Sequence, residues 1–248
     1  MDLSIVIPAY NEEERLSRTL NDIETFFAHP REMSLREIIV VDDGSDDETL
    51  SVAEAWRDRL PLQVLRLPVN RGKGAALRLG VAAARGDVLL LDDADGATPI
   101  EEIEKLRPIL EQKEADIVIG SRVLRTAEHP VRMRWHRRSI GRVYHAFYAP
   151  LIPGIADAAC GFKLFRSDVA KDIFAKQTID RFAYDIEIFS LAMRRGYRIR
   201  EVPVQWTAVP GSKVRMLRDS WEMFWAVMGL HQARGGRKPA IGRTKIEN

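Results

Sequence analysis

Apolar residues in the first half of the chain gather in short, nearly unbroken runs: Leu3–Ile7, Glu37–Val41, Leu62–Leu67, Val88–Leu91 and Ile117–Ile119. Runs without alternation predict strands buried on both faces. Between them the apolar period becomes helical. Glu12–Phe27 carries Leu16, Leu20, Ile23 and Phe27 at spacings of four, three and four. Asp47–Asp58 follows Ser45 and Asp46 as candidate caps, Gly74–Ala84 is alanine-rich, and Ile100–Leu110 follows Pro99, a good first-turn residue. This alternation of strand and helix predicts a doubly wound, mostly parallel α/β sheet, in which ligands bind at the carboxyl ends of the strands.

The second half is less regular. Helices are predicted over Arg132–Leu151, Ser167–Phe174 and Phe182–Arg195, the last stopped by Gly196, followed by a strand at Ile199–Val204. A final helix, Met216–His231, leads into a Gly/Arg/Lys-rich tail expected to be disordered. No repeat or low-complexity linker interrupts the chain. The expected organisation is one domain over residues 1–212 and an extension over 213–248.

Composition narrows this little. The chain has 248 residues, 46% hydrophobic and 30% charged, with a net charge of +2. That charge is too small to call for a polyanionic partner, and no recognition motif points to nucleic acid. The single cysteine, Cys160, excludes an internal disulfide and suits a reducing compartment. The start, M-D-L-S-I-V-I-P, lacks a basic region and meets Pro8 at once, so no signal peptide is expected. No apolar run approaches the roughly 18–20 residues of a membrane span. The expectation is a cytoplasmic protein whose membrane contact, if any, is peripheral.

Candidate chemistry sits at the strand ends. Val88–Leu91 runs into Asp92, Asp93 and Asp95. The D-x-D spacing of Asp93 and Asp95 lets two hard oxygen ligands reach one point in a turn, as Mg²⁺ or Mn²⁺ require, and Gly96 removes bulk beside them. The first strand ends in I-V-I-P-A-Y-N-E and places Pro8, Ala9, Tyr10 and Glu12 at the same rim. The second places Asp42 and Asp43 there. The third leads to N-R-G-K-G-A-A, where Arg71 and Lys73 precede a helix N-terminus suited to anions.

Together I-V-I-P-A-Y-N-E, V-V-D-D-G-S-D-D, N-R-G-K-G-A-A and D-D-A-D-G-A-T resemble the family 2 inverting glycosyltransferases, in the family's order, over about the first 125 residues. The resemblance implies the GT-A fold, a Rossmann-like doubly wound sheet with C-terminal amphipathic helices. Residues 1–125 would be the nucleotide-binding half and 126–212 the acceptor half. Pro8, Ala9, Tyr10, Glu12 and Asp42 would hold the nucleotide base, with Arg71, Lys73 and Arg122 also on the nucleotide sugar. Asp93 and Asp95 would hold Mg²⁺ or Mn²⁺ against its diphosphate.

Further motifs, G-S-R (Gly120–Arg122), C-G-F-K-L-F (Cys160–Phe165), F-A-Y-D-I-E (Phe182–Glu187) and V-P-V-Q-W-T-A-V-P-G-S-K (Val202–Lys213), are similar to the polyprenyl-phosphate sugar transferases. D-A-D-G-A-T and W-T…P-G-S-K look like the dolichyl-phosphate β-glucosyltransferase branch, with the mannosyl branch next. Mannosyl relatives carry Gln where Ala97 stands, leaving a third ligand to Thr98 or water. Eukaryotic glucosyl relatives carry an N-terminal membrane helix not seen here, so a prokaryotic-type relative is expected.

The implied reaction moves glucose from UDP-glucose to a polyprenyl phosphate. GDP-mannose as donor, a saccharide hydroxyl as acceptor, and a non-catalytic nucleotide-sugar-binding protein are the alternatives. Arg122, Lys163, Ser212 and Lys213 would contact phosphate or acceptor. Asp185 would be a base or a positioning residue; two residues from Glu187 on one helix, it faces another way. Between Arg125 and Arg142 lie six arginines and one glutamate, with Met133, Ile140, Tyr144, Phe147 and Leu151 at helical spacings. With Leu217, Trp221, Phe224, Trp225 and Met228 of the last helix, this is the pattern of peripheral contact with a membrane.

Overall fold

The fold was taken from a computed structural model that describes residues 1–124, 148–209, 225 and 227–230. The apolar runs become strands β1 (Asp2–Ala9), β2 (Ser34–Asp42), β3 (Leu62–Arg66), β4 (Val88–Leu91) and β5 (Ile117–Ser121). Two more follow: β6 (Lys163–Arg166) and β7 (Ile199–Pro203). They form one sheet in the order β3-β2-β1-β4-β6-β5-β7. Its pairings are parallel except those of β6, which runs antiparallel to both β4 and β5. Reversing β6 brings its first residue, Lys163, beside Leu91, so the start of β6 and the end of β4 share one rim.

The sheet is buried on both faces, as its unbroken apolar runs require. Val6, Ile39, Val40 and Leu90 have no exposed surface. Helix α1 (Leu16–Phe27) packs Leu16, Leu20 and Ile23 inward, and Phe26 rather than Phe27 completes that face. Helix α3 (Lys73–Ala83) lies close on β1 and β2 because its buried face is small: Gly74, Ala75, Ala76 and Gly80. A Cβ on Gly80 would collide with Val6. Ile100–Glu102 is a 3-10 turn ahead of α4 (Ile103–Glu111). Helices α5 (Ser167–Phe174) and α6 (Tyr184–Arg194) follow, and Gly196, at φ +80°, ends the last of them in the left-handed region.

Some expectations need correction. Helix α1 starts at Leu16, not Glu12, because Asn11 takes φ +54° and residues 12–15 form a turn in which the Arg15 and Leu16 amides bond Glu12 O. Helix α2 spans only Thr49–Glu54, and Ser45 and Asp46 do not cap it. Ser45 Oγ instead accepts from Asn11 N–H at 3.0 Å, and Asp46 N–H donates to Asn11 Oδ1 at 2.9 Å, which ties the turn after β2 to the turn after β1. β6 was not predicted as a strand: four residues beginning with Lys163 give too short a pattern. The helices expected over Arg132–Leu151 and Met216–His231 fall mostly outside the described residues.

Leu164, fully buried in β6, pairs with Leu90 on one side and Val118 on the other. Leu164→Ala is expected to destabilise the fold by about 2–5 kcal/mol, read from the urea midpoint at unchanged slope.

Candidate active site

The rim is built from strand ends. β4 stops at Leu91, and the chain presents three acids in four residues. Asp92 is 4% exposed and accepts the Asp93 N–H at 2.8 Å. Burial, with the charge of Asp93 beside it, pushes its pKa well up, so it is the acid of the three least able to carry charge. Gly96, at φ +61°, closes the turn, so its role is conformational as well as steric.

Asp93 is held from two sides. Lys73, first residue of α3, donates from Nζ to Asp93 Oδ1. Gly161 lies beneath: a Cβ there would overlap the carboxylate. Burial would raise the Asp93 pKa, but Lys73, then Lys163 and Arg122, outweigh it and hold the group below the usual carboxylate range. Asp95 behaves oppositely. Burial and the charge of Asp93 raise its pKa, although its Oδ1 accepts the Ala97 N–H at 3.0 Å. Arg15 and Lys73 counter that rise only in part, so the two neighbours shift in opposite directions.

Deeper, the Lys163 side chain has no exposed surface and lies 2.7 Å from Asp185 Oδ1 in α6. The Tyr184 and Phe189 rings sit 5.7 and 5.8 Å from its ammonium. Burial raises the Asp185 pKa, and Lys163 and Lys73 counter it. Glu187 faces elsewhere, as the spacing on α6 requires. Its carboxylate accepts the Thr178 and Ile179 amides at 2.8–3.0 Å and the Thr178 hydroxyl at 2.7 Å.

Arg122 follows β5. Its Nε and an Nη donate to Asp157 at 2.8 and 2.7 Å, and its backbone N–H to the same carboxylate at 2.9 Å. The Trp206 ring lies 5.6 Å from the guanidinium. Glu201 of β7 accepts the Ala156 and Asp157 amides at 2.7 and 2.8 Å and so aims Asp157. Cys160, nearby, is fully buried, which pushes its thiol up to about 11 and makes it an inert packing residue.

On the other side, Pro8 and Ala9 pair with Val41 and Asp42. Tyr10 follows directly, and Glu12 pairs with Arg15 at 2.6 Å. Asp42 Oδ1 accepts the Ser45 N–H at 2.9 Å. Its Oδ2 is buried without a hydrogen bond of proper geometry, although Arg66 Nε is 3.1 Å away. Asp43 is a clamp: its carboxylate accepts the Asn70 amide and the Arg71 and Gly72 N–H groups at 2.7–3.0 Å, fixing the loop that delivers Lys73.

The structure therefore gathers Lys73, Asp93, Asp95, Arg122, Lys163 and Asp185 around the end of β4, with Pro8, Ala9, Tyr10, Glu12 and Asp42 on adjoining strand ends. Arg71 is turned instead toward Asp180, at 2.7 Å. Ser212 and Lys213 lie outside the described residues. Sequence reasoning missed Asp157, Glu201 and Gly161, whose partners lie far along the chain. Asp43 was visible beside Asp42, and its role as a clamp was not.

The sheet, with its D-x-D at the end of β4 and cations around it, has the GT-A fold, and the chain is a glycosyltransferase. The chain belongs to glycosyl transferase family 2, which it matches over residues 4–174. It is 37% identical to a dolichyl-phosphate beta-glucosyltransferase of Dictyostelium discoideum, covering 89% of this chain and 71% of that protein. A Mus musculus protein of the same name is also 37% identical, over 92% of this chain and 72% of its own. In fold the chain is similar to Mycobacterium tuberculosis glucosyl-3-phosphoglycerate synthase, with a TM-score of 0.69 at 20% identity over 99% of this chain and 85% of that one. A complex of that synthase with Mn²⁺, UDP-glucose and phosphoglyceric acid superposes with a TM-score of 0.67, at 20% identity over 96% of this chain and 81% of that one.

The Arg122–Asp157 pair yields a pH prediction. Burial would raise the Asp157 pKa, but Arg122 outweighs it and lowers it. A depressed carboxylate stabilises the fold above its unfolded pKa, about 3.9, and that contribution is lost as pH falls toward the folded value. Asp157→Asn should cost about 3 kcal/mol at neutral pH. In thermal melts at several pH values, the gap to the parent protein should be constant above pH of about 5 and narrow below about 4.

Proposed function

We propose that the protein transfers glucose from UDP-glucose to a polyprenyl phosphate of the dolichyl type, with inversion at the sugar. The observation that carries this reading is the D-x-D pair at the end of β4, compensated by converging cations, in a chain alike over most of its length to dolichyl-phosphate beta-glucosyltransferases.

Each part of the rim has work in that reaction. Pro8, Ala9, Tyr10, Glu12 and Asp42 form the base-binding ends of β1 and β2, where Asp42 lies buried beside Arg66. The donor set of Asp93 and Asp95 fits a hard divalent cation, Mg²⁺ or Mn²⁺. Both are carboxylates, and the charged form of Asp95, disfavoured by burial and by Asp93, would gain from a cation beside it. Among the described residues no group of three such ligands forms, so Asp93 and Asp95 are the residues that would hold the ion. Bound there, the ion offsets charge gathering on the departing diphosphate.

The acceptor phosphate oxygen bonds to the anomeric carbon as the bond to the UDP oxygen breaks on the opposite face, which inverts the linkage. A phosphate is already ionised near neutral pH and needs no general base. Asp185, paired with buried Lys163, is accordingly a positioning residue that keeps Lys163 in place under the rim. Arg122, held by its Nε edge on Asp157, turns its remaining N–H donors toward phosphate.

No described helix is long and apolar enough to cross a membrane. The lipid acceptor is met at the cytoplasmic face of a bilayer, by the basic segment between Arg125 and Arg142 and the last helix. Trp225 of that helix is 56% exposed.

The test is transfer of labelled glucose from UDP-glucose to a short polyprenyl phosphate. Lipid-linked glucose should form with Mn²⁺ or Mg²⁺, stop with EDTA, and fall more than about 100-fold in Asp95→Ala. Labelled mannose from GDP-mannose in the same product would overturn the donor. Product only with a saccharide would overturn the acceptor and return Asp185 to the role of base.

A further inference from the structure

We infer that Lys73 is a displaceable counter-ion that couples the metal to the nucleotide: it occupies Asp93 until a diphosphate offers it another partner, so metal and donor bind with positive cooperativity. This rests on the reading of Asp93 and Asp95 as metal ligands.

The geometry carries it. Lys73 Nζ bonds Asp93 Oδ1, the carboxylate that a D-x-D metal needs. The pair is built, not incidental. Asp43 anchors the Arg71 and Gly72 amides immediately before Lys73, and Gly72 takes φ +113°, open to glycine, to turn the chain into α3. On the far side Gly161, by lacking a side chain, leaves the Asp93 carboxylate the room to sit where Lys73 meets it. A divalent ion must therefore either displace the ammonium or share one carboxylate with it, and two cations on one carboxylate repel.

The Lys73 side chain is 22% exposed, at the N-terminus of a helix of 11 residues, so it can swing toward an incoming ligand without unfolding anything. A diphosphate in the rim attracts both the ammonium and the amides at that helix start. Moving Lys73 onto phosphate frees Asp93 for the metal, and the metal in turn binds the same diphosphate. Each ligand then raises the affinity of the other by the same factor, as linkage demands. Lys163 and Arg122 cannot substitute. Lys163 is buried against Asp185, and Arg122 is fixed on Asp157.

Mn²⁺ binding measured by electron paramagnetic resonance, alone and with saturating UDP, tests this without turnover. In the parent protein UDP should tighten Mn²⁺ by about tenfold or more. In Lys73→Met, Mn²⁺ alone should bind about tenfold more tightly than in the parent, and the enhancement by UDP should fall by a similar factor, leaving the part that comes from the metal's own bonds to the diphosphate. Lys73→Arg, which keeps the charge, should retain the coupling, and a melting temperature near the parent's shows that the variants are folded. If the parent shows the enhancement by UDP and Lys73→Met shows it undiminished, with no gain for Mn²⁺ alone, the inference falls while the metal site stands. If no protein binds Mn²⁺ with or without UDP while UDP itself binds, the metal reading falls and takes the inference with it.

Discussion

Everything at this rim answers to one electrostatic constraint: three acids stand within four residues at the end of a strand with no water on either face. Such a concentration of charge beside an apolar sheet is costly unless cations come to it. They arrive from elements distant in sequence. Lys73 comes from the start of α3, Lys163 from the reversed strand β6, and Arg122 from the end of β5. The antiparallel course of β6 follows the same logic, because a parallel strand would begin at the opposite edge and carry Lys163 away from Asp93.

Compensation is incomplete by design of the site. Asp93 is held below the usual carboxylate range and Asp95 above it. A purely structural turn would gain by neutralising both or dispensing with both. An acid whose charged form is disfavoured by its neighbour's charge makes the rim receptive to a further cation. Around it the protein uses buried carboxylates as clamps on backbone amides: Asp43 on the loop before α3, Glu187 on residues 178–179, Glu201 on residues 156–157. The first aims the loop that bears Lys73 and the last the Asp157 that holds Arg122, which is what preorganisation of a polar site requires.

Much of this was legible beforehand. The unbroken runs at Ile5–Ile7, Ile38–Val41 and Leu89–Leu91 pointed to fully buried strands, and their polar ends pointed to one shared rim. The D-x-D and the N-R-G-K loop stood out from their place at strand ends and from the family resemblance, and the opposed directions of Asp185 and Glu187 followed from spacing. What stayed hidden depended on the third dimension. Nothing local shows that Asp157 belongs with Arg122, 35 positions away, or that Gly161 must lack a side chain to make room for Asp93. β6 escaped because three buried residues do not make a period. Ser45 and Asp46 looked like caps because their chemistry suits capping, and they were drawn off by Asn11, which sits in the left-handed region that asparagine tolerates and whose partners 34 and 35 positions away no local pattern shows.

The central claim is that the acidic end of β4 holds a cation that holds a diphosphate. Anomalous scattering from crystals grown with Mn²⁺ and UDP tests it most directly. A single strong peak touching carboxylate oxygens of both Asp93 and Asp95, and bridged to the UDP phosphates, is the predicted result. UDP bound on the rim with no manganese between those two acids would contradict it.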